Sequence, residues 1–141
     1  MIVVPDASVI LKWVLEREHE PDYRQAAKLQ QAILDETIEI RLPTLWKYEV
    51  GNILGLKKPA VATELMSALL AYEFDEVPLR TEYAMAVLEH MRQVTQVTFY
   101  DSVYHVLALR TKGLYVTADH AYVKRAKRKG HVALLSEWKA P

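Results

Sequence analysis

The chain has 141 residues, enough for one domain with a core of its own, so we expect a single domain over residues 1–141. It contains no cysteine, which excludes disulfide bonds and cysteine-ligated metal sites. No apolar run approaches the roughly 20 residues of a membrane span, and no cationic leader precedes one, so we expect a cytoplasmic protein without membrane contact. The 18 basic and 18 acidic residues cancel, so global charge does not indicate a nucleic-acid partner.

Segments typical of strands and of helices alternate along the chain. Short apolar or alternating runs predict strands at residues 1–4, 38–43, 74–79, 114–119 and 132–135. Apolar residues at helical spacing predict helices at residues 7–18, 21–37, 45–56, 59–73, 81–94, 100–113 and 120–130. We expect Thr44 to cap the third of these helices and Gly113 to end the sixth. Because strands joined through helices pair in parallel, the order predicts an α/β fold, a parallel sheet covered by helices on both faces.

Three aspartates stand where a strand ends or a helix begins. Asp6 follows the first strand, Asp119 ends the strand at 114–119, and Asp101 opens the apolar helix at 100–113. The carboxyl ends of parallel strands meet at one edge of a sheet, where open α/β sheets bind their ligands. Aspartate is also a favoured helix cap, worth about 0.5–2 kcal/mol over alanine. The positions alone fit both interpretations.

Glu49 is a carboxylate in an otherwise apolar stripe. It stands four residues after Leu45 and four before Ile53, so the three share one helix face, together with Asn52. A buried carboxylate is costly unless it is paired, which favours a function for Glu49. The alternative is that the helix is rotated enough to leave Glu49 in solvent.

Four short motifs that contain these acidic residues follow one another along the chain. They are "DAS" at residues 6–8, Glu49 after a strand that ends in proline, "YDS" at 100–102 and "TAD" at 117–119. Through them nearly the whole chain resembles the PIN-domain nucleases, and within these the toxin ribonucleases of the VapC type. The resemblance implies a parallel sheet between helices and one acidic pocket, formed by Asp6, Glu49, Asp101 and Asp119. It also implies that Ser8 and Thr117 support this pocket by hydrogen bonding.

Such a group of carboxylates requires a counter-charge. Two carboxylates about 4 Å apart repel by about 4 kcal/mol at an effective dielectric constant near 20. Carboxylate oxygens suit Mg²⁺ or Mn²⁺, and a water on the ion can attack a phosphate. Together with the resemblance, which implies RNA as the substrate, this predicts a metal-dependent endoribonuclease. Asp119 is the only acidic residue between Leu114 and Ser136, so few carboxylates are available to bind a second ion. Whether the site binds one ion or two is left open.

Basic residues are candidates for contact with RNA. The run "KRAKRK" at 124–129 follows Asp119, and Lys124, Lys127 and Arg128 share one helix face. They could form a phosphate track toward the pocket, or a solvated helix end whose cations suit the helix dipole. The predicted RNA-binding residues are Lys12, Arg110, Lys124, Arg125, Lys127 and Arg128.

Other enzyme classes fit the sequence less well. No H-E-x-x-H pattern indicates zinc, and Ser8 does not lie in a G-x-S-x-G elbow. A phosphate-accepting receiver domain would need an acidic pair near the N-terminus, where this chain has only Asp6. A catalytically inactive PIN-like binding module and a stand-alone PIN nuclease for RNA processing remain alternatives.

The resemblance also implies partners. Toxins of this kind form homodimers and are held inactive by a small VapB-type antitoxin. We therefore expect an RNA substrate, a second copy of the chain and a cognate antitoxin.

Overall fold

Five parallel strands form one sheet. The computed structural model describes residues 1–16 and 19–141. The strands are β1 Ile2–Pro5, β2 Glu39–Pro43, β3 Asp75–Val77, β4 Leu114–Thr117 and β5 Val132–Leu134. They lie side by side in the order β3-β2-β1-β4-β5. The chain adds strands outward from β1 on one side and then returns to pair β4 with β1, so the strand order reverses between these two strands. An open sheet binds ligands at such a reversal.

Seven α-helices connect and cover the strands in the described part of the chain. They are α1 Ala7–Leu11, α2 Tyr23–Leu34, α3 Leu45–Lys57, α4 Ala62–Leu70, α5 Thr81–Gln93, α6 Phe99–Thr111 and α7 His120–Ala126. Two short 3-10 turns, Lys127–Lys129 and Leu135–Glu137, follow α7 and β5. The predicted α/β fold is confirmed. None of the helices in these ranges is long and apolar enough to cross a membrane.

The core lies between the central strands and α6. Val3 and Val4 of β1 are fully buried, and α6 buries every residue from 102 to 108 as it packs on β1, β2 and β4. This confirms that the helix is buried on nearly all sides, as its apolar sequence predicts. Since α6 is clamped in this way, side chains at its start have a fixed position relative to the ends of β1 and β4.

Several predicted helix ends were wrong. Helix α1 ends at Leu11 and continues only as turns, and residues 17 and 18 of the predicted helix lie outside the described residues. Thr44 makes no capping bond through its side chain, because its own backbone is already helical at φ −55°. Helix α4 begins at Ala62, three residues after the proline that was expected in its first turn.

Gly113 does not end α6 as expected, because the helix stops at Thr111. The left-handed residue at this helix end is Lys112, with φ 56°, and not the glycine. A Cβ at Gly113 would instead lie 2.8 Å from the carbonyl oxygen of Ile2. Glycine is therefore required because the chain passes directly against β1 there.

Candidate active site

The four predicted carboxylates lie in one pocket of about 520 Å³ at the reversal between β1 and β4. Asp6 and Asp119 follow these two strands, while α3 contributes Glu49 and α6 contributes Asp101. The described lining consists of Asp6, Ala7, Ser8, Leu11, Lys12, Leu15, Glu20, Glu49, Ile53, Lys57, Asp101, Ala118 and Asp119. The topology thus gathers side chains that are more than 100 residues apart in sequence.

Asp6 is both a helix cap and part of the pocket. Its N–H donates to the carbonyl of Val116 at 3.0 Å, which keeps it beside the end of β4. Its Oδ1 accepts the Ser8 N–H at 2.6 Å, and its Oδ2 accepts the hydroxyls of Tyr115 at 3.0 Å and Thr117 at 2.8 Å. These donors occupy three of the about four lone-pair positions of the carboxylate, leaving one on Oδ1. The two interpretations of Asp6 are therefore compatible.

Thr117 connects two of the aspartates. Its hydroxyl donates to Asp6 and accepts the N–H of Asp119 at 3.1 Å. Asp119 in turn caps α7, where its Oδ1 accepts the N–H of Tyr122 at 3.0 Å. Thr117 thus bonds both aspartates through its hydroxyl, whereas Ser8 bonds Asp6 through its backbone N–H.

Asp101 does not cap α6. Thr98 is the cap, and its hydroxyl oxygen accepts the N–H of Asp101 at 3.1 Å. Burial raises the pKa of Asp101 to about 6, with further contributions from the negative charges of Asp6 and Asp119. The pKa of Asp101 is therefore raised first by its burial and second by the carboxylates gathered beside it.

Glu49 lies half-buried in the pocket rather than in solvent. Its Oε1 accepts the hydroxyl of Tyr104 at 2.7 Å. Burial raises the pKa of Glu49; the Tyr104 hydroxyl opposes this rise, and the charges of Asp6 and Asp101 add to it. Asn52, expected on the same face, is exposed, because α3 turns Trp46, Val50 and Leu54 toward the core.

Two buried tyrosines of the site were missed in the sequence. Tyr104 binds Glu49 and Tyr115 binds Asp6, and their rings stack with centroids 5.9 Å apart. Burial raises the pKa of both hydroxyls, so they keep their protons and donate. A signal was present: Tyr104 lies one helical turn after Asp101, and Tyr115 lies two residues before Thr117 on the same face of β4.

The PIN domain family model matches residues 3–129. This chain belongs to the PIN domain family. PIN domains are typically nucleases, and PIN nucleases generally use divalent metals. No curated protein sequence matches the chain.

Three solved structures share the fold of this PIN domain. A toxin–antitoxin complex from Klebsiella pneumoniae has a TM-score of 0.68 at 15% identity, covering 94% of this chain and 97% of that one. FitAB bound to an IR36 DNA fragment has a TM-score of 0.72 at 14% identity, covering 99% and 98%. PAE2754 from Pyrobaculum aerophilum has a TM-score of 0.62 at 20% identity, covering 96% and 90%. At these identities the similarity concerns the fold.

The two lysines in the described lining of the PIN domain pocket differ in whether their charge is paired. Lys12 is buried, and its Nζ lies 3.0 Å from the carboxylate of Glu20, so its charge is already paired. Lys57 is exposed, lines the pocket and forms no hydrogen bond or ion pair with a residue that the structure describes. Sequence reasoning missed Lys57, although it follows Glu49 by eight residues and therefore lies near the same face of α3.

The remaining predicted RNA-binding residues do not line this pocket. Arg110 lies 5.7 Å from the ring centre of Tyr83 and borders a different cavity. Arg128 donates to the carbonyl of Gln93 at 2.7 Å. The exposed cations Lys124, Arg125 and Lys127 belong to the last turn of α7 and the 3-10 turn after it, where they suit the negative end of the helix dipole. Their contact with RNA stays a prediction.

The chemistry of the pocket fits a hard divalent cation. As the side chains stand, no group of three or more His, Asp or Glu in residues 1–16 and 19–141 is arranged to hold a metal ion. The donor set is nevertheless one of carboxylate oxygens, which Mg²⁺ and Mn²⁺ prefer. Glu49 and Asp119 are each anchored through one oxygen, and none of the described protein donors occupies the other. A cation would also relieve the repulsion that contributes to the raised pKa of Asp101.

Proposed function

We propose that this PIN domain is a metal-dependent endoribonuclease and the toxin of a toxin–antitoxin pair. The observation that carries the proposal is the convergence of Asp6, Glu49, Asp101 and Asp119 on one pocket at the strand reversal. Two of the similar structures are described as a toxin–antitoxin complex and as FitAB bound to DNA, which supports an antitoxin partner.

The four carboxylates would hold Mg²⁺ or Mn²⁺ with the oxygens that the protein leaves unoccupied. When bound, the cation lowers the pKa of a coordinated water and neutralises charge on the phosphodiester. The residues of the chain fix the ligands beforehand. Thr117 holds Asp6 and Asp119 together, and Tyr104 holds Glu49. Such preorganisation removes the cost of collecting the charges when the ligand arrives.

Lys57 is the proposed phosphate contact in the pocket. Lys12 is committed to Glu20, whereas Lys57 has no described partner and lines the same cavity as the carboxylates. An ammonium group pairs readily with phosphate as a point charge. This position would guide the RNA backbone toward the carboxylates while leaving base contacts to other surfaces.

An apolar groove beside the pocket supports a protein partner. It is lined by Pro43, Thr44, Leu45, Tyr48, Val77, Leu79, Phe99, Tyr100 and Val103. Tyr48 and Tyr100 are 71% and 60% exposed, and each directly precedes a pocket carboxylate, Glu49 or Asp101. Exposed apolar side chains grouped in this way are typical of interaction sites. They suit the expected VapB-type antitoxin or the second copy of a homodimer in the cytoplasm.

Cleavage of end-labelled RNA tests the proposed function. Single-stranded RNA and DNA of the same sequence are incubated with the protein in EDTA, in Mg²⁺ and in Mn²⁺. We expect RNA fragments with either metal, none in EDTA and none with Asp119→Asn. Asp22→Asn is the matched control, because Asp22 is exposed, lies outside the pocket and has a left-handed backbone that asparagine tolerates. Intact RNA and DNA under all conditions would contradict the proposed nuclease activity. Cleavage of DNA alone would contradict RNA as the substrate.

A further inference from the structure

Glu49 depends on one hydrogen bond for its position. In the described structure the only donor to its carboxylate is the Tyr104 hydroxyl, at 2.7 Å from Oε1. Glu49 is on α3 and Tyr104 is on α6, so this bond connects two helices that are 55 residues apart in sequence. A glutamate has three side-chain torsions, and without an anchor it would sample many rotamers.

Tyr104 is itself rigid. Its side chain is 2% exposed, and its ring lies nearly parallel to that of Tyr115, with an angle of 15° between the planes. It belongs to the buried stretch of α6 that packs on the central strands. The hydroxyl therefore presents a fixed donor at the wall of the pocket.

Tyr115 provides a natural comparison. It is equally buried, at 0% exposure, and its hydroxyl also donates to a pocket carboxylate, Oδ2 of Asp6. Asp6, however, has two other anchors, the N–H of Ser8 and the hydroxyl of Thr117. Loss of the Tyr115 hydroxyl leaves Asp6 held, whereas loss of the Tyr104 hydroxyl leaves Glu49 with no anchor among the described residues.

We propose that Tyr104 is a positioning residue that fixes Oε1 of Glu49 and leaves Oε2 available to a divalent cation. The inference rests on the proposed function, since it takes Glu49 as part of the metal site. The inference ranks the two buried tyrosines, which their burial does not distinguish: loss of the Tyr104 hydroxyl should weaken metal binding more than loss of the Tyr115 hydroxyl. Mutation of a residue that orients a metal ligand by hydrogen bonding typically lowers metal affinity by about 10–100-fold.

Binding of Mn²⁺ to three phenylalanine variants tests this order. Free Mn²⁺ is measured by electron paramagnetic resonance during titration of the wild type, Tyr104→Phe, Tyr115→Phe and Tyr83→Phe. Tyr83 is the control, because it is a buried tyrosine whose hydroxyl donates to the carbonyl of Val103 at 2.5 Å and touches no carboxylate. Melting temperatures in EDTA report any loss of stability separately from the loss of metal affinity.

We expect the Mn²⁺ dissociation constant to rise about 10-fold or more in Tyr104→Phe and by less than about 3-fold in Tyr115→Phe. We expect Tyr83→Phe to melt lower but to bind Mn²⁺ like the wild type. Equal binding by the wild type and Tyr104→Phe overturns the inference and leaves the proposed function standing, as does a larger effect of Tyr115→Phe. A wild type that binds no Mn²⁺ overturns the proposed function and the inference together.

Discussion

Replacing Asp101 by asparagine removes one charge from the acidic pocket, and the effect should depend on pH in a defined direction. The folded-state pKa of Asp101 is about 6, against an ordinary value of 3.8, because of burial and then the charges of Asp6 and Asp119. Between these two pH values the folded protein binds more protons at this carboxyl than the unfolded chain does. The free energy of unfolding of the metal-free wild type therefore loses this contribution as the pH rises through the window.

The magnitude follows from the size of the shift. A shift of about two pKa units corresponds to an upper limit of about 3 kcal/mol, and solvent screening at this half-buried carboxyl reduces it to about 1–2 kcal/mol. At pH 7.5, Asp101→Asn is relieved of this cost. For a chain of this length the gain corresponds to a melting temperature about 3–8 °C above that of the wild type.

The assay is a thermal melt of both proteins in EDTA at pH 4, 5, 6 and 7.5. The measured quantity is the difference in melting temperature between the two proteins, because His90 changes the stability of both with the opposite dependence on pH. Burial, then His105 and Lys129, lowers the pKa of His90 to about 4 from 6.5, so its contribution to stability is lost as the pH falls. We expect the melting temperatures to be close at pH 4, to separate progressively as the pH rises from 4 to 6, and to differ by a nearly constant amount at higher pH. An equal difference at all four pH values would refute the electrostatic origin of the effect.

Three further substitutions address the substrate contact, the fold and the site. In a cleavage-deficient background, Lys57→Ala should weaken RNA binding and lower the slope of log affinity against log salt concentration by about one phosphate contact. Lys28 is exposed and lies outside the pocket, so Lys28→Ala should change neither quantity. Equal effects of the two substitutions would show that Lys57 does not contact the RNA. Gly113→Ala should lower the free energy of unfolding, measured in urea, by about 1–3 kcal/mol, because the new Cβ would lie 2.8 Å from the carbonyl oxygen of Ile2. Gly55→Ala, with nothing within 4 Å of its Cβ, should stabilise α3 by up to about 1 kcal/mol. The reverse order would show that Gly113 does not pass closely against β1. Glu49→Gln should lose RNA cleavage with little change in melting temperature, and cleavage at the wild-type rate would show that Glu49 is not needed.

The sequence predicts the parallel sheet and the shared edge of Asp6 and Asp119 because both depend on chain direction, whereas a pocket that also contains Glu49 and Asp101 was implied by the resemblance to the PIN-domain nucleases. Asp6 and Asp119 follow parallel strands, so they had to reach the same edge once the strands were neighbours. Thr117 shares a motif with Asp119, and its role followed from the same resemblance. Periodicity put Glu49 on one face of α3 with Leu45 and Ile53 but left open whether that face met the pocket or the solvent, and the structure shows Glu49 half-buried.

Contacts between distant segments could not be predicted in this way. The Tyr104–Glu49 bond depends on how α3 and α6 are rotated against each other, which no local pattern specifies. The pairing of Lys12 with Glu20 depends on the turns after α1, where a longer helix was predicted. The basic run after Asp119 is conspicuous in sequence, yet helix geometry carries it to the far end of α7 and leaves Lys57 as the free cation in the described lining.

RNA cleavage by Asp6→Ser tests most directly whether the pocket is a metal-dependent active site. Serine caps a helix about as well as aspartate, so α1 keeps its cap while the pocket loses one carboxylate. We predict that cleavage in Mg²⁺ falls by about two orders of magnitude or more. In EDTA, Asp6→Ser loses the acceptor for the hydroxyls of Tyr115 and Thr117, which offsets the relief of repulsion, so we expect a melt close to that of the wild type. Cleavage by Asp6→Ser at the wild-type rate would contradict the account and leave Asp6 as a helix cap alone.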